Sequence, residues 1–349
     1  MSYKIVRVLA AAGLCASAAL AGVDPTLVAL VMPDAKMLIG FQVGQAQSTP
    51  LGQYLLSQVQ LDPNVNRVMT AAGFDPRKDL REILAATGDS LNGLVLGRGS
   101  FQPAKILKAA AGAGATQSTY RGVEMLTFPA LSGAAGPNHV RNQPAASIAF
   151  LDSSTFAAGD TEAVKGAIGR RGAAAVVSGE LAEKAREISV ANDAWVATLT
   201  PPTGLSNPGR GAAAGPFQNV LQSALQLSAG IKFAVSQVTL SAEVTARSPQ
   251  DAQSMADLMK LLAGMLQASR SQDPNASKGA SMADAARISS SGSVMYLVIA
   301  VPERDLEQFF IPSQFPAADQ PKKVAMGAGG TAQVPTETQT VAAGPRAFR

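Results

Sequence analysis

Cysteine and histidine are almost missing from this chain: Cys15 and His139 are single examples among 349 residues. Zinc sites are built from those two side chains, so a zinc centre is excluded. A Ser-His-Asp triad would have to use His139, which sits in a Gly-Pro-Asn-His loop, and no G-x-S-x-G elbow is present for it to serve. Charge is also scarce. Charged residues make up 15% of the chain, against about 25% in a typical soluble domain. Tryptophan and tyrosine number one and four, few for a protein that stacks sugar rings. No run of alternating Asp and Asn closed by Glu marks a calcium loop. Gly97-Arg98-Gly99 lacks the third glycine of a dinucleotide fingerprint, and Ser277-Lys278-Gly279 is not a phosphate-binding loop. The reading is therefore of no catalytic residue, no cofactor and no metal ligand.

The formal charge of +4 is confined to the ends. Lys4, Arg7, Lys322, Lys323, Arg346 and Arg349 stand against only Asp319 and Glu337 there, which leaves residues 22–311 with no net charge. A duplex-binding surface needs clustered Lys and Arg to displace counterions, and the body has no such cluster, so no nucleic-acid partner is expected.

Hydrophobic residues are plentiful at 47%, enough for sizeable cores. The first 21 residues have the pattern of a secretory signal: Lys4 and Arg7, then an apolar run, then Ala19-Leu20-Ala21 as a small-x-small cleavage site. The apolar run is shorter than the roughly 18 residues of a spanning helix, and Asp24-Pro25 interrupts its continuation. Leu14 stands where a lipobox before Cys15 would need a small residue. Cleavage before Gly22 removes the one cysteine, leaving a mature chain held by packing alone, in the periplasm or outside the cell.

Helix and strand signals then alternate. Asp24-Pro25 opens a short helix, 36–43 is the first strand, and Ser48-Thr49-Pro50 opens a helix with Leu51, Tyr54, Leu55 and Val59 inward. A second helix starts near Asn64. Asp75-Pro76 opens a third, with Leu80, Ile83 and Leu84 inward and Lys78 four residues before Glu82. The cluster Asp75, Arg77, Lys78, Asp79, Arg81 and Glu82 is read as the solvated face of that helix. Further on come a strand at 92–99, a helix at 103–111, a hairpin turning at Arg121-Gly122, a second turning at Asp152-Ser153-Ser154, and a helix capped by Asp160. The second half reads as a helix at 180–190, a strand at 194–199, a helix at 217–227, one strand or a tight pair over 231–246, and a helix opened by Ser248-Pro249 with Asp251. Met255, Leu258, Met259, Leu262, Met265 and Leu266 form a continuous stripe on that last helix, read as core.

Strand, helix, short strand, Gly turn and long strand occur in that order twice: LNGLVLGRG to VEMLTF, and VTLSAEVTA to VMYLVIAV. The expected fold class is α+β, a duplicated module of mainly antiparallel sheet with helices packed on one face. The expected boundaries are a signal peptide at 1–21, a first module at 22–175, a second at 176–311, and a disordered Pro-, Ala- and Gly-rich tail at 312–349. Loops at 132–144 and 201–216 are the expected contact surfaces.

Val31-Met32-Pro33-Asp34-Ala35, Ser48 to Gly52, Gly73 to Leu80, Tyr120 to Val123, Ala158-Gly159-Asp160 and the stretch 248–262 resemble an uncharacterised family of exported proteins from high-GC, acidobacterial-like bacteria. The resemblance covers about residues 24 to 310, with Met32 departing mildly from the family's opening. Its motifs mark caps and turns, so it implies architecture and export and no activity. The sequence thus points to an exported non-catalytic protein that binds or scaffolds an unidentified envelope protein or polymer. Two alternatives stand beside it: a carboxylate-dependent envelope hydrolase, and a membrane-tethered subunit that retains its leader.

Overall fold

The structure is a computed structural model that describes residues 22–58, 63–88, 93–112, 115–128, 146–200, 223–234, 236–268 and 274–303. The expected leader, both long loops, His139 and the tail lie outside the described residues.

Local chemistry places most elements. Asp24 accepts the Thr26 N–H at 2.7 Å and Pro25 takes the first helical position, which starts α1 (Pro25–Ala29). Strand β1 (Met37–Gln42) leads into α2 (Val43–Ala46), α3 (Pro50–Gln58), α4 (Pro63–Ala72) and α5 (Pro76–Asp79). Then come β2 (Leu80–Thr87), β3 (Gly93–Gly99), α6 (Pro103–Gly112), β4 (Thr116–Tyr120), β5 (Val123–Phe128), β6 (Ala146–Phe150) and β7 (Thr155–Asp160). The β4–β5 hairpin turns with positive φ at both Arg121 and Gly122, the geometry that matches strand twist. Asp160 Oδ1 accepts the N–H groups of Glu162 and Ala163 to open α7 (Thr161–Gly169). The chain continues through α8 (Gly179–Ala191), β8 (Ala194–Thr198), β9 (Ala224–Phe233), β10 (Gln237–Ala246), α9 (Pro249–Ala268), α10 (Pro274–Ala285), β11 (Ala286–Ser291) and β12 (Val294–Pro302). The Ser248 hydroxyl accepts the Asp251 N–H at 3.1 Å and donates to the Asp251 carboxylate at 2.8 Å, closing a reciprocal cap on α9.

All twelve strands join one sheet in the order β11-β12-β10-β9-β8-β1-β2-β3-β7-β6-β5-β4, with antiparallel pairs throughout. The α+β, antiparallel reading is thus what the chain adopts. From the central β1–β8 pair outward, one wing runs β8, β9, β10, β12, β11 and the other β1, β2, β3, β7, β6, β5, β4. The wings follow one path, except that the β6–β7 hairpin is inserted between β3 and β5. Both halves share this sheet, and one core draws on Leu38, Leu84 and Leu96 from the first half together with Leu181, Ile188 and Trp195 from the second. The 175/176 border is therefore a position along the chain between α7 and α8.

Helices cover both faces of the sheet rather than one. Alternate residues of single strands enter different cores: Leu84 and Ala157 join the core under α1, α7 and α8, while Ile83 and Phe156 join the core under α2, α3, α4 and α6. Helix α9 covers the second face farther along, where Met255 and Ala256 meet Met295. Strands apolar on both sides need cover on both sides. Each fully buried leucine in these cores, such as Leu38, Leu84, Leu94 and Leu96, contributes about 1.5–3 kcal/mol relative to exposure.

Two stretches expected to be helical, 80–84 and 224–227, are strand, while 217–222 lie outside the described residues. The third helix stops after Asp79, and Leu80–Thr87 forms β2, where Leu80, Glu82, Leu84 and Ala86 are buried in alternation. Residues 224–227, expected to be helical, belong to β9, which is held by β8 on one side and β10 on the other. In both cases a full set of ladder bonds outweighs the modest helix preference of Ala, Leu and Glu. The 231–246 stretch resolves into the end of β9 and all of β10.

Candidate functional site

The charge cluster singled out in the sequence separates by position. Asp75, Arg77, Lys78 and Asp79 form the exposed end of α5, where Asp75 caps the Arg77 N–H and pairs loosely with Arg77 and Lys78 at 3.7 and 3.8 Å. Arg81 is exposed, but Glu82 is 8% exposed and faces the core under α1. Lys78 and Glu82 therefore do not form a helical pair.

Glu82 lies in a row of polar residues across three strands, opposite Gln42 on β1 and Arg98 on β3. Its Oε1 accepts the Asp24 N–H at 3.2 Å, and the Asp24 carboxylate in turn lies 2.6 Å from Arg98 Nε. Arg98 also donates to the Thr26 hydroxyl at 2.8 Å. Burial pushes the Glu82 carboxyl up to about 6, and the neighbouring Asp24 charge adds to the rise; the Asp24 N–H, Arg98 and Gln42 partly offset it. Asp24 and Glu82 are thus two carboxylates brought together, the feature a hydrolase would need. Each is engaged in holding α1 to the sheet: Asp24 accepts from its own helix, and Glu82 lies beneath it.

Two further buried carboxylates also hold backbone. Asp193 accepts the Phe233 N–H at 2.8 Å and pairs with Lys232 at 2.7 Å. Glu303 accepts the Leu51 N–H at 2.6 Å, satisfying a free donor at the start of α3 from the far end of the chain. Among the described residues no three of His, Cys, Asp and Glu converge to hold a metal ion. Gly97-Arg98-Gly99 lies within β3 and Ser277-Lys278-Gly279 within α10, so neither is a phosphate loop.

Among the described residues, an apolar cavity of about 190 Å³ lies on the second face of the sheet. Leu80, Phe101 and Ile106 are its most buried walls; Ile83, Ile148 and Phe156 complete the sheet side. Met69 of α4, Phe74, Pro76 of α5 and Phe150 are half-buried and complete the lining. The ten side chains that line it among the described residues are all apolar. Phe101 anchors an aromatic cluster, with ring centroids 5.5 Å from Phe74, 5.6 Å from Phe150 and 5.5 Å from Phe156, separations at which offset and edge-on pairs attract. Two local devices shape it. An irregularity in the β2–β3 register between Leu80 and Glu82 lets Leu80 share a face with Ile83. Gly97, directly opposite Phe156, has no side chain, and the Phe156 ring occupies the space a Cβ would fill.

The stripe on α9 divides. Met255 and Leu258 are buried and Met259 packs beside them, whereas Leu262, Met265 and Leu266 are exposed at 39, 59 and 46%. No helix among the described residues is long and apolar enough to cross a membrane, a statement that does not bear on β-barrels.

Sequence reasoning missed the cavity because its walls come from seven separate segments. The one local signal was Phe74-Asp75-Pro76, read only as a helix start. No family model matches the chain, and no curated protein matches it in sequence. Among solved structures, crystal form I of TP0453 is similar over 83% of this chain and 97% of that one, with 9% identity and a TM-score of 0.49. Crystal form III of the same protein is similar over 82% and 98%, with 10% identity and a TM-score of 0.48. A likeness at this level carries no argument about function.

Proposed function

We propose that this chain is an exported, non-catalytic binding protein of the bacterial cell envelope, acting in the periplasm or outside the cell. The observation that carries the reading is the cavity beside Phe101: a concave space that, among the described residues, has ten apolar walls and no ionisable group among them. Ligand sites are concave and mostly apolar, and general acid–base chemistry needs a titratable group within reach of the substrate. Among the described residues, the carboxyl raised to about 6, Glu82, lies under α1 on the other face. The leader pattern at 1–21 supports export.

Native mass spectrometry of the protein recovered from the envelope of the producing cell tests this. The expected result is a chain beginning at Gly22 that carries a stoichiometric partner, either a macromolecule or a small apolar adduct. A ligand-free chain that cleaves envelope polymers would overturn the reading in favour of the hydrolase. A chain still beginning at Met1 and fractionating with membranes would favour the tethered subunit.

A further inference from the structure

We propose that the bond between Ala21 and Gly22 is open to a leader peptidase only before the body folds, so that folding itself decides between a released chain and one that keeps its leader. This rests on the leader reading and adds to it a proteolytic site gated by the fold.

Three observations carry it. The residues just after the bond belong to the folded body: Val23 is 7% exposed and joins the core that contains Leu27, Leu181 and Ile188. Their backbone donors are already occupied. The Val23 N–H donates to Ser189 Oγ at 2.9 Å and the Asp24 N–H to Glu82 Oε1 at 3.2 Å, whereas an extended peptide is recognised through its main-chain hydrogen bonds. Space is the third limit. A Cβ at Gly22 would stand 3.1 Å from Val190 Cγ2 and 3.3 Å from Ser189 Oγ. The chain therefore lies directly against the last turn of α8, with no room between them for the wall of an active site. Cutting requires residues 22–24 to lift away, and proteolysis then follows the population of that lifted state. Uncovering Val23 alone makes it at least about tenfold rarer. The docking partner also arrives late. Val23 and Ser189 are 166 residues apart in the chain, so the first residues of the body have no α8 to dock on until the second half follows. A chain cut in that interval is released; a chain that folds first keeps its leader.

The test uses the full chain, residues 1–349, a purified bacterial leader peptidase, and a peptide of residues 10–30 that carries the cleavage sequence without the body. Mass spectrometry of the products reads the cut after Ala21. The peptide should be cut, as should the full chain diluted from urea straight into the peptidase. The same chain refolded beforehand should be cut more than about tenfold more slowly than the peptide. The variant S189A leaves the cleavage sequence untouched and removes the acceptor of the Val23 N–H; once folded, it should be cut about fivefold faster than the folded wild type. Should S189A fail to fold, the wild-type comparison still decides. A refolded wild-type chain cut as fast as the peptide would overturn the proposal and leave the leader reading standing, and so would a folded S189A cut no faster than the folded wild type. A peptide that is not cut would sink the leader reading and this inference together.

Discussion

Replacing Glu82 by glutamine should stabilise the protein at neutral pH. In the folded chain the carboxyl titrates at about 6 instead of 4.5, chiefly because it is buried under α1, so folding favours its protonated form. Below pH 4.5 the group is neutral in both folded and unfolded chains and has no charge penalty. As pH rises from 4.5 through 6 the folded chain must give up a proton it holds more tightly than the unfolded one, and stability falls. The shift corresponds to about 2 kcal/mol, fully felt above pH 6. Glutamine keeps an oxygen to accept the Asp24 N–H and carries no charge to desolvate. The attraction of Arg98 is already contained in the net rise to about 6, so the expected gain stays near 2 kcal/mol. Urea midpoints for wild type and E82Q measured at pH 7.5 and at pH 4.5 give a direct readout. E82Q should be the more stable at pH 7.5, and the difference should shrink toward zero at pH 4.5. A difference of the same size at both pH values, or a wild type more stable than E82Q at pH 7.5, would refute the assignment of Glu82 as a strained buried acid.

Two smaller perturbations follow from packing and capping. Gly40 lies directly opposite Trp195, and the indole occupies the space a Cβ would fill; G40A should cost about 1–3 kcal/mol, seen as a lower urea midpoint and altered Trp195 fluorescence. S248A removes the acceptor for the Asp251 N–H and should cost about 1 kcal/mol, with hydrogen-exchange protection reduced in the first turn of α9.

What the sequence disclosed was local. The caps at Asp24, Asp160 and Ser248 and the turn at Arg121-Gly122 depend on atoms a few residues apart, and each appears where its motif stands. The strand–helix–strand pattern that recurs in both halves marks the two wings of the sheet. Burial that depends on distant partners was hidden. In LREILAAT, leucine and isoleucine spacing satisfies a helix as well as a strand; β1 and β3 on either side decide for the strand. Glu82 looks like a surface residue among Asp75, Arg77, Lys78, Asp79 and Arg81 until α1 covers it. The number of helix-covered faces was likewise illegible, because alternation shows that a strand has two apolar sides without naming what lies over each. The cavity needs Phe74, Phe101, Phe150 and Phe156 together, and no spacing rule joins them.

The β1–β8 seam has a kinetic consequence. Leu38 and Ala197 pair across it from opposite halves of the chain, and Leu51 finds Glu303 over a still greater span. Loop closure on this scale precedes its reward, so folding should be slow, with contact order rather than stability setting the rate. A nascent chain that has produced β1 and β2 but not β8 holds β1 with one edge unpaired. Such a chain would stay loosely organised until the second half is available.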